Sequence, residues 1–93
     1  MVIEECLEYL PRGLQLAKKI PLAVKRIGPF WAVSAEESLG KHEHGFGLSL
    51  REAKGDLAQG IVGDYICFKA FADSGPAKHF VDKLDSYLLA TSA

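Results

Sequence analysis

Gly45-Phe46-Gly47-Leu48-Ser49-Leu50-Arg51-Glu52-Ala53 is the stretch that decides the fold. Ser49 followed by Glu52 is a capping box: the hydroxyl accepts the N3 amide, and the carboxylate reaches back toward the cap amide. It opens a helix whose Leu50, Ala53, Leu57, Ile61 and Phe68 fall on one stripe. Upstream, His42-Glu43-His44-Gly45-Phe46-Gly47 reads as a short strand ending in glycine, which allows a tight strand-to-helix turn. Gly55, Gly60 and Gly63 each cost the helix about 1 kcal/mol relative to alanine, so packing must hold it. Residues 61–68 are also β-prone, which leaves a strand as the alternative for the helix tail.

Working back from this junction, Leu14, Leu16, Ile20, Leu22 and Val24 fall on even positions, and Gln15, Lys19 and Lys25 on odd ones. That period of two predicts a half-buried strand. Pro21 lacks an N–H, so the strand should lie on an edge or carry its proline on an unpaired side. Gly28-Pro29 marks a turn, and Phe30-Trp31-Ala32-Val33-Ser34-Ala35 is aromatic and β-branched, which predicts the second arm of an antiparallel hairpin. Glu36-Glu37-Ser38-Leu39-Gly40-Lys41 reads as a loop. Residues 1–13 are an uncertain N-terminal element: Ile3, Cys6, Leu7 and Leu10 have helical spacing, Val2, Cys6 and Leu10 strand parity, and Pro11-Arg12-Gly13 ends either.

Working forward, Asp73-Ser74-Gly75 breaks the chain, and Pro76 suits a helix first turn. Ala77, Phe80, Val81, Leu84, Tyr87 and Leu88 predict a helix over 76–90. The order is β-β-β-α-α. The expected architecture is α+β: a three- to four-stranded, mostly antiparallel sheet with the capped helix on one face and a second short helix beside it. At 93 residues this is a single domain, 1–93.

Lys plus Arg is 11 and Asp plus Glu is 12, so no basic footprint for nucleic acid exists. Lys18-Lys19 and Lys25-Arg26, the densest positive spots, read as solvated strand flanks. The two cysteines, Cys6 and Cys67, form no CxxC pair, and Cys67 between Ile66 and Phe68 reads as core. The acidic start is not a signal peptide, and no apolar run approaches the ~18 residues of a membrane span. A cytoplasmic protein with reduced, buried thiols is expected.

His42-Glu43-His44 is the most chemical-looking patch, since alternate strand residues share a face and both imidazoles can approach one metal. No third ligand is near, and HExxH is absent, so the expectation is a polar strand and no metal. Gly45-Phe46-Gly47 lacks the rest of a phosphate-binding fingerprint, so no nucleotide cofactor is expected. Cys6, Cys67, Ser34 and Ser49 are the nucleophiles, with His42, His44 and His79 as bases, but no GxSxG elbow occurs, and Ser49 is committed to the cap. Glu4-Glu5 and Glu36-Glu37 read as solvated. The chain is expected to be no enzyme. Phe30 and Trp31 are the candidate partner-binding residues. Adjacent strand residues face opposite ways, so one belongs to the core and the other is open to a helix, a partner or water.

From Ile20 to Leu57 the chain resembles the HicB-like antitoxin family. The pieces are Ile20-Pro21-Leu22-Ala23-Val24, Phe30-Trp31-Ala32-Val33-Ser34, and Gly47-Leu48-Ser49-Leu50-Arg51-Glu52-Ala53, which looks like the family's G-x-[ST]-x-x-E-A turn and cap, continued by Asp56-Leu57. The closing helix after Gly75-Pro76 is similar to that of solitary, single-domain members. The family's usual Asp/Pro-Gly-Cys loop is replaced by Ser38-Leu39-Gly40-Lys41, and the DNA-binding segment of many members is absent, so direct DNA binding is not expected. The resemblance implies a non-enzymatic protein that binds and occludes a small basic toxin ribonuclease. A sheet with an open edge also predicts a homodimer, with edge-to-edge strand contact one route to it. The alternatives are a stand-alone regulatory or small-ligand-binding module, and an RNA-binding, RNase-H-like remnant.

Overall fold

The computed structural model describes residues 5–41, 43–71 and 73–89. Four antiparallel strands form one sheet in chain order: β1 (Glu5–Leu7), β2 (Ile20–Ile27), β3 (Phe30–Ser34) and β4 (His44–Gly47). Between β3 and β4 lies a one-turn helix, α1 (Glu36–Leu39), and after β4 come α2 (Leu50–Phe71) and α3 (Gly75–Asp85). The architecture is the expected α+β, with one long and one short helix.

Registry assigns the faces. Glu5 pairs with Leu22, Leu7 with Ile20, Val24 with Val33, and Val33 with Gly45, so these residues share the side that packs on the helices. There Ile20, Leu22 and Val33 meet Ala53, Leu57 and Ile61 of α2 and Phe80 and Leu84 of α3 in one buried cluster. The apolar stripe of α2 runs uninterrupted through all three of its glycines, so residues 61–68 are helix.

Several local expectations need correction. Leu14 and Leu16 are not strand: β2 starts at Ile20, and Leu16 instead bridges Leu88. The uncertain N-terminal element carries β1, and its first four residues lie outside those described. Glu36 to Leu39 is a helical turn rather than loop; the Ser34 hydroxyl accepts the Glu36 N–H at 3.2 Å, and Leu39 is buried. The C-terminal helix stops at Asp85, because Tyr87 and Leu89 turn back to bond residues 15 and 17. The third strand begins at His44; His42 lies outside the described residues.

Pro21 takes the second of its two options. β1 pairs with residues 20–22 and β3 with residues 23–27, so β2 lies inside the sheet yet leaves Pro21 free of β3. Its carbonyl accepts the Ser38 hydroxyl at 2.8 Å.

The glycines of β4 are there for space, not for a turn. Neither has a left-handed backbone. A Cβ on Gly45 would lie 2.5 Å from the Leu57 nitrogen, and one on Gly47 2.6 Å from the Ala53 nitrogen. Only a strand without side chains on this face lets α2 approach so closely.

Candidate functional site

Among the described residues, no helix covers the second face of the sheet. It presents Cys6, Pro21, Ala23, Lys25, Ile27, Phe30, Ala32, Ser34, His44 and Phe46, each on the opposite parity from the core residues. Its apolar content gathers at the end near the β2–β3 turn. Ile27 pairs with Phe30, and each is 47% exposed. Ala32 pairs with Phe46; the alanine is 8% exposed and the phenylalanine 54%. Leu48, just past β4, is 63% exposed. His44 stacks its ring on Phe46, with centroids 6.5 Å apart. Large apolar side chains from three adjacent strands thus sit together in water, an arrangement that marks interaction surfaces.

Phe30 and Trp31 therefore divide as adjacent strand residues must. Phe30 lies on the uncovered face. Trp31 turns to the helix side, half-buried against the core, with the Arg26 guanidinium 4.7 Å from its ring centre. Arg26 is held in turn by its Nε–H, which donates to the Gly28 carbonyl at 3.3 Å.

The free edge of this face is guarded. The Phe46 N–H donates to the Asp56 carboxylate at 3.0 Å, and the Leu48 N–H to Glu52 at 3.1 Å. The Glu52 N–H donates to Ser49 Oγ at 3.1 Å, so the capping box forms, but its carboxylate reaches one residue further back than the cap amide. Two acidic side chains of α2 thereby occupy amides that an added strand would need.

The remaining sequence candidates are scattered. Cys67 is exposed on α2, not core, and Cys6 is half-buried on the uncovered face; both are free thiols. Lys18 and Lys19 are exposed, the first with its ammonium over the Tyr87 ring, the second 3.8 Å from Glu8. His79 packs on Gly40, far in the chain from Ser34 and Ser49, whose hydroxyls both serve helix starts. Among the described residues, no three His, Cys, Asp or Glu side chains gather where they could hold a metal. Between β1 and α2 lies a partly open groove of about 540 Å³ whose lining includes Leu7, Glu8, Tyr9, Leu50, Arg51 and Lys54.

One cluster was not foreseen. Lys41 Nζ donates to Glu43 at 3.4 Å and to Asp64 at 3.2 Å, so the two carboxyls converge on one ammonium. Glu43 is only 5% exposed. Burial, then the neighbouring Asp64, pushes its carboxyl up to about 7, against the pull of Lys41. The hydrogen bond from Glu43 holds Asp64 below its ordinary range, with Lys41 adding to it against burial. Burial opposes the Lys41 charge, yet its bond to Asp64 and the two carboxylates outweigh it and raise its pKa. The available signal was parity: Glu43 is two residues before Gly45, so it faces the helices.

Among the described residues, no helix is long and apolar enough to cross a membrane. No family model matches the chain, and neither a curated protein nor a solved structure matches it.

Proposed function

We propose that this chain is a HicB-like antitoxin-type protein, a non-enzymatic cytoplasmic homodimer that binds a small basic toxin ribonuclease and occludes its active site. The observation that carries a binding role is the uncovered sheet face, where Ile27, Phe30, Phe46 and Leu48 stand about half exposed. Such side chains gain free energy on burial at roughly 25 cal/mol per Å² of apolar surface. Two further observations support the family part of the reading. The strands over Ile20–Ile27 and Phe30–Ser34, the glycine strand and the capped helix follow one another in the order the motif requires. The motif's glycine and cap also have physical work in the same place: Gly47, with Gly45 just before it, admits α2, and Ser49 starts it.

Phe30 is the contact residue in this reading, and Trp31 supports it from behind. Occlusion needs no chemistry from this chain: a complementary surface excludes RNA from the toxin. A net charge of −1 leans toward a basic partner. Strand addition along β4 is closed by Asp56 and Glu52, so a homodimer pairing edge to edge would use β1.

Affinity purification of the tagged chain from its native host, with mass spectrometry of what accompanies it, tests the proposal. A stoichiometric small basic protein is expected, lost on Phe30→Asp. Recovery of the chain alone overturns the antitoxin role. Sedimentation of a 10 kDa species at micromolar concentration overturns the dimer.

A further inference from the structure

The Lys41, Glu43 and Asp64 cluster belongs to neither the core nor the uncovered face, yet it joins three parts of the chain. Lys41 comes from the connection after α1, Glu43 from the residue before β4, and Asp64 from the distal half of α2. The ammonium also lies 5.2 Å from the Phe68 ring centre and 6.0 Å from that of Phe80, so α3 closes the site from the far side. One residue earlier, Gly40 adopts a left-handed backbone with the His79 ring packed on it. Any side chain at position 40 would strike that ring, so the segment is seated on α3 by shape and on α2 by charge.

Charge balance makes this arrangement conditional. With both carboxyls ionised the cluster carries one more negative charge than positive, and the excess sits on a side chain almost sealed from water. With one proton held between the carboxyls it is neutral, and Glu43 has a proton to donate to Asp64. Among the described residues the charged groups that act on one another here are Lys41, Glu43 and Asp64; Gly60 and Phe68 of α2 and Phe80 of α3 lie beside them, with His79 one step away on Gly40. Glu43 also holds the last rung of the β3–β4 ladder, because its carbonyl accepts the Ala35 N–H at 3.1 Å. His44, the next residue, belongs to the uncovered face.

We propose that Lys41, Glu43 and Asp64 form a proton-controlled latch, which fastens the α1–β4 connection to α2 while one proton is shared and loosens it when that proton leaves. Loosening frees the Ala35–Glu43 rung and with it the α1 end of the β3–β4 pair. This rests on the fold alone and stands whether or not the antitoxin reading does.

The test uses the full chain and no ligand. Carboxyl ¹³C shifts are followed from pH 3 to pH 9, and exchange of the Ala35 amide is measured over the same range. The expected result is a Glu43 midpoint near 7, with Ala35 protection falling above it by roughly tenfold or more beyond intrinsic base catalysis. Glu43→Gln, which keeps the shape without a titrating proton, should abolish the step. Should that variant not fold, Asp64→Asn serves: the midpoint and the step should move down together. A wild-type Glu43 midpoint near 4.5, its ordinary value, overturns the latch. So does an Ala35 step that ignores the Glu43 midpoint or survives Glu43→Gln.

Discussion

The two halves of α2 are held to the rest of the molecule by different physics. The first half is fixed first of all by shape, with Glu52, Lys54 and Asp56 adding charged ties to β4 and β1. Gly45 and Gly47 bring β4 onto Ala53 and Leu57 so closely that no other residue fits. The second half keeps its apolar stripe through Ile61, Val62 and Tyr65, but its lateral ties are polar. Lys41 reaches Asp64, and Tyr65 donates to Asp85 at 2.5 Å while Lys69 donates to Tyr65 at 2.8 Å. Burial, then the bond to Asp85, raises the Tyr65 hydroxyl, and the bond to Tyr65 raises Lys69. Steric fixing is indifferent to pH and salt; charge fixing is not. The contrast teaches that one continuous helix can have a rigid end and an adjustable end.

The largest way to break the comparison is at the rigid end. Gly45→Ala should cost about 3 kcal/mol or more in urea unfolding, because the added methyl meets backbone that cannot yield. A cost near zero would mean that α2 is not seated by shape.

The adjustable end should show itself by pH. Glu43 has a folded-state value near 7 against an ordinary 4.5. Its contribution is therefore full below about pH 4.5 and lost as pH rises through 7. Asp64 runs the other way, its contribution lost only as pH falls through its depressed value. Between pH 5 and pH 8 the chain should lose about 2 kcal/mol of stability, and Glu43→Gln should flatten that decline. Thermal melts across this range at fixed salt check both.

A smaller effect sharpens the contrast within the helix itself. Gly55 has open space around its Cα, so Gly55→Ala should stabilise by about 1 kcal/mol, opposite in sign to Gly45→Ala. The smallest effect is the control outside both regions: Phe30→Asp should change stability by less than about 0.5 kcal/mol while removing any partner bound at the uncovered face.

What the sequence makes legible follows from how local the cause is. The capping box, the stripe of α2 and the strand containing Phe30 are written within a few neighbours. Three-residue β1 is not, because it is too short for parity to outweigh helical spacing. Cys67 illustrates a phase error: between Ile66 and Phe68 it looks internal, but on a helix those residues point three ways, and only Phe68 packs on the core while the thiol and Ile66 meet water. The Lys41–Asp64 tie spans 23 residues and arises only once α2 has crossed the sheet. The uncovered face was half legible: the Phe30–Trp31 split follows from alternation, but which of them faces out depends on where α2 lies.

The return of the chain after α3 sets an order of events during synthesis. Ala17 donates to the Tyr87 carbonyl at 2.7 Å, and Leu89 donates to that of Gln15 at 2.9 Å. At roughly 5–20 residues per second, several seconds separate the making of these partners. Until then the stretch between β1 and β2 has its place but not its neighbour. The nascent chain must wait for nearly its last described residue before this flank can close.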